Sequence, residues 1–168
     1  MKIRVAHVTH LSVSGKLKTV EELKAICAQA RAKGKKTVFT NGCFDLLHRG
    51  HLYTLREAKA CGDILIVGIN SDRSVKGLKG AGRPIFSESE RAELIGALEM
   101  VDYVTLFDEP DPYNLIAVLV PDVLAKGGDW GPDKIVGSDI VEKNGGRVAV
   151  IPYLQGFSTT EIIERIRG

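Results

Sequence analysis

The sequence predicts an α/β fold: a single doubly wound parallel sheet, Rossmann-like, with helices on both faces. Three observations predict it. From Lys35 onward, short apolar segments alternate with amphipathic ones, the order that makes right-handed βαβ units. The run Asp63-Ile64-Leu65-Ile66-Val67-Gly68-Ile69-Asn70 is continuously apolar, as in a strand buried on both faces. A glycine-bearing turn with two histidines, Thr40 to His51, falls where a strand feeds a helix. At 168 residues the chain can bury the core of one domain, and it shows no repeat, low-complexity tract or linker.

Residues 1–18 read as an N-terminal arm or edge segment, with Met1 to Val8 a short edge strand or a partner-binding arm. His7 and His10 form an HxxH without further ligands nearby, short of the four that structural zinc wants. The rest of the chain, 19–168, reads as one domain. Thr19 and Glu22 form a capping box opening a helix that runs to Ala32, with Leu23, Ile26, Cys27 and Ala30 on one face and Gly34 ending it. Strand Thr37 to Thr40 leads to helix Gly50 to Ala60, and strand Asp63 to Asn70 to a Gly- and Lys-rich loop, Ser71 to Ile85. Ser87 and Glu90 cap a helix reaching Glu99. Asp102 turns into strand Tyr103 to Phe107, a helix follows Pro112, and strand Asp122 to Ala125 comes next. A short helix, Asp139 to Lys143, precedes strand Arg147 to Ile151, and a last helix starts after Ser158. In such a sheet a ligand lies beyond the strand C-termini, so the ends at Asn41, Asn70, Phe107 and Lys126 are expected to line one cleft.

Composition narrows the function classes. Apolar residues make up 44% and charged residues 26%, ordinary for a soluble globule. A net charge of +2, with no arginine-rich tract, argues against nucleic acid as a partner. No apolar run is long enough for a membrane span, and no signal-peptide pattern opens the chain, so the expected compartment is the cytoplasm. Cys27, Cys43 and Cys61 are an odd, widely spaced set, read as reduced thiols and not as a metal site.

The turn carries the chemistry. His48 and His51, three apart, can face one point, and a helix N-terminus behind them offers N–H groups and a positive dipole end to a phosphate. Gly42 and Gly50 let the backbone approach a ligand, in company with Asn41, Cys43 and Phe44. The turn matches neither GxxxxGK[ST] nor GxGxxG. Asp45 reads as the cap of this helix, or as a group orienting magnesium or substrate. Tyr153, Gly156, Phe157, Ser158, Thr159 and Thr160 surround a second helix start. Alone it is an ordinary capped helix; beside the histidines it becomes the second wall of a nucleotide site. Arg73, Lys76, Lys79, Arg83 and Arg91 put cations on and after the Gly-rich loop. Lys79 and Arg83 are chosen as the polyphosphate clamp, with Lys76 as substitute. Lys126, Gly127, Gly128 and Asp129 end a strand where the second substrate is expected, and Trp130 reads as packing or pocket wall.

TNGCFDLLHRGH together with GFSTTEII resembles the HxGH nucleotidyltransferase superfamily, over about residues 19 to 167. Within it the likeness is to the heptose 1-phosphate adenylyltransferases of lipopolysaccharide inner-core assembly. It is carried by Asn70-Ser71-Asp72, Leu78-Lys79-Gly80, Gly82-Arg83-Pro84-Ile85, Ala97-Leu98-Glu99, Val101-Asp102, Pro121-Asp122-Val123-Leu124, Lys126-Gly127-Gly128-Asp129 and the GFSTT ending. Glycerol-phosphate cytidylyltransferases have an arginine five residues before the serine of that ending, where this chain has Tyr153. The resemblance implies transfer of a nucleoside monophosphate from ATP to a sugar 1-phosphate. Magnesium would be bound through the nucleotide phosphates, the protein would supply no metal site, and the enzyme would be a homodimer. It implies catalytic roles for His48, His51 and Lys79. Competing readings are CTP as donor, a polyol phosphate, amino-alcohol phosphate, FMN or phosphopantetheine as acceptor, and a non-catalytic nucleotide sensor.

Overall fold

The structure is a computed structural model and describes residues 15–128, 134–154 and 156–168. The HxxH at His7 and His10, the strand read at Met1 to Val8, Asp129 and Trp130 lie outside the described residues. Among the described residues, seven helices and five strands follow in the order α1 (Val20–Ala32), β1 (Thr37–Gly42), α2 (Arg49–Lys59), β2 (Ile64–Asn70), α3 (Asp72–Lys79), α4 (Glu88–Gly96), β3 (Tyr103–Phe107), α5 (Tyr113–Leu119), β4 (Val123–Gly127), α6 (Ser138–Lys143), β5 (Arg147–Ile151) and α7 (Thr159–Arg167).

Local chemistry explains the helix starts. Thr19 with Glu22, Ser87 with Glu90 and Ser158 with Glu161 each close a reciprocal capping box. Two expectations are corrected. The segment read as a loop from Ser71 contains α3. Ser71 caps it by accepting from the Ser74 N–H, Asp72 sits in its first turn and Lys76 and Lys79 in its last, and Gly80 ends it at φ +93°. The helix expected to reach Glu99 stops at Gly96, where the chain tightens so that Leu98 N–H donates to the Ile95 carbonyl.

The five strands form one parallel sheet in the order β3-β2-β1-β4-β5. Alternate residues of the central strands serve opposite faces. Val38, Leu65, Val67 and Ile69 pack with Leu55 and Ala58 of α2 and Ala92 and Ile95 of α4. Phe39, Ile66 and Leu124 pack with Leu23 and Cys27 of α1, Leu115, Ile116 and Leu119 of α5 and Val141 of α6. Each fully buried large apolar side chain contributes about 1.5–3 kcal/mol. The last residues of the segment read as an arm extend the sheet edge: Leu17 bridges Val104, to which the Lys16 carbonyl and the Lys18 N–H are bonded. Among the described residues no helix is long and apolar enough to cross a membrane.

Candidate active site

The chain builds β1, β2 and β3 outward in one direction, then crosses back to place β4 and β5 on the other side of β1. The connections from β1 and β4 therefore diverge, leaving a crevice at this switch point. A cavity of about 430 Å³ occupies it. Of the four strand ends expected to share a cleft, Asn41 and Lys126 line it and two do not. Asn70 is buried and donates to Ser74 Oγ, and Phe107 faces a separate hollow. A strand order is needed to know which ends meet.

His48 is the N-cap of α2, with its Nδ1 accepting from the Gly50 N–H at 3.1 Å. That bond leaves Nε2 as the donor of the neutral ring. The expected cap, Asp45, is engaged elsewhere. His51 stacks on His48 with ring centroids 3.7 Å apart and meets Phe44 edge-on at 5.1 Å. Its Nδ1 is buried and, among the described residues, has no hydrogen-bond partner. Burial first, then the His48 ring, push His51 down to about 4, against a smaller opposing effect of the Leu46 carbonyl. Burial also lowers His48, partly offset by Glu161. Both imidazoles are thus neutral hydrogen-bonding groups near pH 7. The pair depends on Gly50, where an added Cβ would lie 3.0 Å from the His48 ring and 3.1 Å from the Phe157 carbonyl. Phe44 takes a left-handed φ of 48°, a conformation a non-glycine residue holds only when its surroundings enforce it.

On the β2 side, exposed Lys79 ends α3 and lines the cavity together with Arg83, while Lys76 does not line it. Asp45 is fully buried. One oxygen pairs with Arg83 Nε, and the other accepts from the Ile85 and Phe86 N–H groups at 2.6 and 3.0 Å. Its carboxylate therefore anchors the segment after α3; it caps no helix. Two more expectations change. Arg91, read as an anion partner, has no exposed surface. It donates to the carbonyls of Cys43 at 2.6 Å, Asn70 at 2.8 Å and Phe86 at 3.1 Å, and pairs with Asp72. Arg73 pairs with Asp108 on the surface, away from the cleft. The place of Arg91 just beyond a basic loop gives no sign in the sequence that the guanidinium is buried.

The opposite wall comes from β4 and the start of α7. Lys126 Nζ donates to Asn41 Oδ1 at 3.0 Å. A Cβ on Gly127 would sit 3.3 Å from Thr54. Tyr153 (62% exposed), Phe157, Ser158, Thr159 and Thr160 form the rim, and Arg49 lies over the Phe157 ring at 5.5 Å. The structure thus gathers Asn41, Gly42, Cys43, Phe44, Asp45, His48, Gly50, His51, Lys79, Arg83, Lys126 and Gly127 around one cavity with those α7 residues. It leaves out Gly128, whose N–H bonds Ile151, and Gly156. Thr40, Thr54 and Leu154 also line it and were missed. Thr54 sits one helical turn beyond His51, on the same face of α2, a spacing that could have found it. Among the described residues no group of three or more His, Cys, Asp or Glu is placed to hold a metal ion.

Fold and cleft together define a doubly wound α/β protein with its crevice at the strand-order switch point. The chain belongs to the Cytidylyltransferase-like family, whose model matches residues 39–165. It is 51% identical over 158 residues to the bifunctional protein HldE of Geotalea uraniireducens, covering 94% of this chain and 32% of that protein. It is 51% identical over 164 residues to HldE of Trichlorobacter lovleyi, covering 98% and 33%. The chain thus spans about a third of the length of these curated relatives. Among solved structures it is similar to a lipopolysaccharide core biosynthesis protein from Thermoplasma volcanium, with 31% identity, a TM-score of 0.57, and coverage of 72% of this chain and 98% of that one. Pantoate-beta-alanine ligase from Francisella tularensis, at 14% identity and a TM-score of 0.59, shares the fold over 90% of this chain and 77% of its own.

Proposed function

We propose that this chain transfers the adenylyl group of ATP, as its magnesium complex, to a heptose 1-phosphate, giving ADP-heptose and pyrophosphate for lipopolysaccharide inner-core synthesis. The observation that carries the reading is the stacked His48–His51 pair at the N-terminus of α2, at the switch point of the sheet, lining one cavity together with Lys79 and Arg83. The KGGD and GFSTT likeness supports heptose phosphate and ATP as the substrates. The name of the Thermoplasma volcanium neighbour supports the pathway.

The chemistry is a displacement. An oxygen of the acceptor's phosphate bonds to the α-phosphorus as the bond to the oxygen bridging the α- and β-phosphates breaks, and that electron pair leaves with pyrophosphate. A phosphate monoester is already ionised near pH 7, so no protein base has to take a proton. The work is alignment of two polyanions and neutralisation of charge in the transition state. His48, through Nε2–H, and His51 are placed to donate to the transferring phosphoryl oxygens, with the α2 dipole behind them. Lys79 and Arg83 supply positive charge toward the departing pyrophosphate. The Ser158 to Thr160 hydroxyls and the start of α7 form the nucleoside side. Asp45 serves by holding Arg83 and its segment. Magnesium, bound through the nucleotide phosphates, would supply further neutralisation of the triphosphate charge.

The test is pyrophosphate release from the purified protein with each of ATP, CTP, GTP and UTP. The acceptors are both anomers of D-glycero-D-manno-heptose 1-phosphate, glycerol 3-phosphate and FMN. Release fastest with ATP and the β-anomer is the expected result. Preference for CTP overturns the donor, preference for another acceptor overturns the sugar, and nucleotide binding without release makes the chain a sensor. The assembly goes with the reading as a cytoplasmic homodimer, tested by light scattering of the eluting species.

A further inference from the structure

The sheet comes apart at one defined place. β1 stays paired with β2 up to Gly42↔Ile69, and β4 with β5 up to Gly127↔Ile151. The β1–β4 ladder runs only from Val38↔Val123 to Phe39↔Leu124. Beyond it, Thr40–Gly42 and Ala125–Gly127 border a slot that opens into the cavity. Continuing the register two places sets Asn41 level with Lys126, and the Lys126 ammonium spans the slot to Asn41 Oδ1 at 3.0 Å. Gly127, with Thr54 where a side chain would go, keeps the next position clear.

Taking a lysine ammonium out of water costs free energy unless partners replace its hydration. Burial lowers the affinity of Lys126 for the proton. Among the described residues no carboxylate lies within ion-pair distance of it, and a neutral amide oxygen takes one of its three N–H donors. Among the described residues this half-buried cation meets only the dipole of an amide, and a site of that kind is one that an anion stabilises.

The position selects the anion. Lys79 and Arg83 reach the cavity from the β2 side of β1, whereas Lys126 stands on the β4 side. In a displacement at the α-phosphorus the attacking and leaving oxygens stand roughly in line, on opposite sides. With pyrophosphate departing toward Lys79 and Arg83, the attacking group enters from the β4 side. We infer that Lys126, held by Asn41 in the slot between β1 and β4, binds the phosphate of the acceptor and so makes a phosphate monoester the acceptor class. The inference rests on the nucleotidyl transfer proposed above.

Lys126→Met keeps the length of the side chain and removes the charge, and Lys126→Arg restores a cation. Initial rates of pyrophosphate release, with acceptor and ATP varied separately, are read beside melting temperatures. Loss of one charge-assisted contact is expected to raise the KM for heptose 1-phosphate roughly 10- to 100-fold in Lys126→Met. The KM for ATP stays unchanged, the variant melts at or above wild type because a buried unpaired charge is gone, and Lys126→Arg recovers part of the loss. An equal rise in the KM for ATP overturns the assignment. So does a lowered melting temperature with an unchanged KM for the acceptor, which makes Lys126 a strap between two strands. If the wild type releases no pyrophosphate with any pair of substrates, the proposed reaction has failed. Calorimetric titration with heptose 1-phosphate alone then decides Lys126: weaker binding to Lys126→Met upholds it, and equal binding overturns it.

Discussion

Among the described residues two hollows at the C-terminal edge of this sheet can be compared, and the larger of them is the less equipped for chemistry. Beyond β3, a hollow of about 680 Å³ is lined by Val20, Leu106, Phe107, Leu115 and Val118, with Arg73, Asp108, Glu109 and Asn114 at its polar edge. Its charged pair, Arg73–Asp108, is 80% and 55% exposed, and such pairs contribute about 0–1 kcal/mol. The cavity of about 430 Å³ between β1 and β4 has two stacked imidazoles, a helix N-terminus, three cations and three glycines where a side chain would be a tight fit. Volume does not distinguish them. The smaller cavity sits where strand order reverses, and only there do loops from both halves of the sheet turn apart and leave polar groups converging on one point.

The contrast can be broken most severely at His48. His48→Ala is expected to lower turnover by about 10²–10³, the usual cost of losing one donor to a transition state. Loss of the α2 cap costs about 1 kcal/mol besides, so a cooperative melt should persist beside the lost pyrophosphate release. Asp45→Asn comes next. It keeps the shape but removes the charge facing Arg83, and a broken buried pair costs about 3 kcal/mol. Urea unfolding should show that loss, and the KM for ATP should rise as the Arg83 segment loosens.

A smaller effect is pH-dependent. His51 titrates near 4 when folded, against an ordinary 6.5, so between those values the unfolded chain binds a proton that the folded chain does not. The stability involved is fully present above pH 6.5 and is lost as pH falls toward 4, reaching about 2 kcal/mol by pH 5. His48 shifts in the same direction. Urea midpoints at about pH 7 and about pH 5 should therefore converge in His51→Gln relative to wild type. The smallest effect is expected in the other hollow: Arg73→Ala should leave both turnover and melting temperature close to wild type, and a large loss of activity there would erase the distinction drawn between the two.

Much of this was legible in the chain because the signals are local. The apolar run from Ile64 to Ile69 and the capping boxes at Thr19, Ser87 and Ser158 each lie within a few residues, and each marks an element that formed. His48 and His51 are three apart on one helix, so their convergence needs no knowledge of the rest. α3 was hidden because Asp72–Lys79 is short, has a glycine at Gly77 and buries only Ser74 and Val75 among its eight residues. Asp45 and Arg91 were misread for a different reason. Their partners lie 38 to 41 and 19 to 48 residues away, except for the Arg91 bond to Phe86, and no periodicity records such bonds. The same holds for strand order, without which Phe107 could not be separated from Asn41.

Arg91 joins pieces of chain that have no other reason to move together: the turn at Cys43, the end of β2 at Asn70, the first turn of α3 at Asp72 and the strand-free stretch at Phe86. Asp45, three residues before His48, fastens the same stretch. In the language of native-state fluctuations, the histidine turn and the cationic segment form one opening unit, not two. Backbone amides of Ile85 and Phe86 should therefore exchange with deuterium at the rate of the histidine turn, far more slowly than surface loops, and should be released together with it. A cleft assembled this way is rigid or absent, with little room for a half-formed version between.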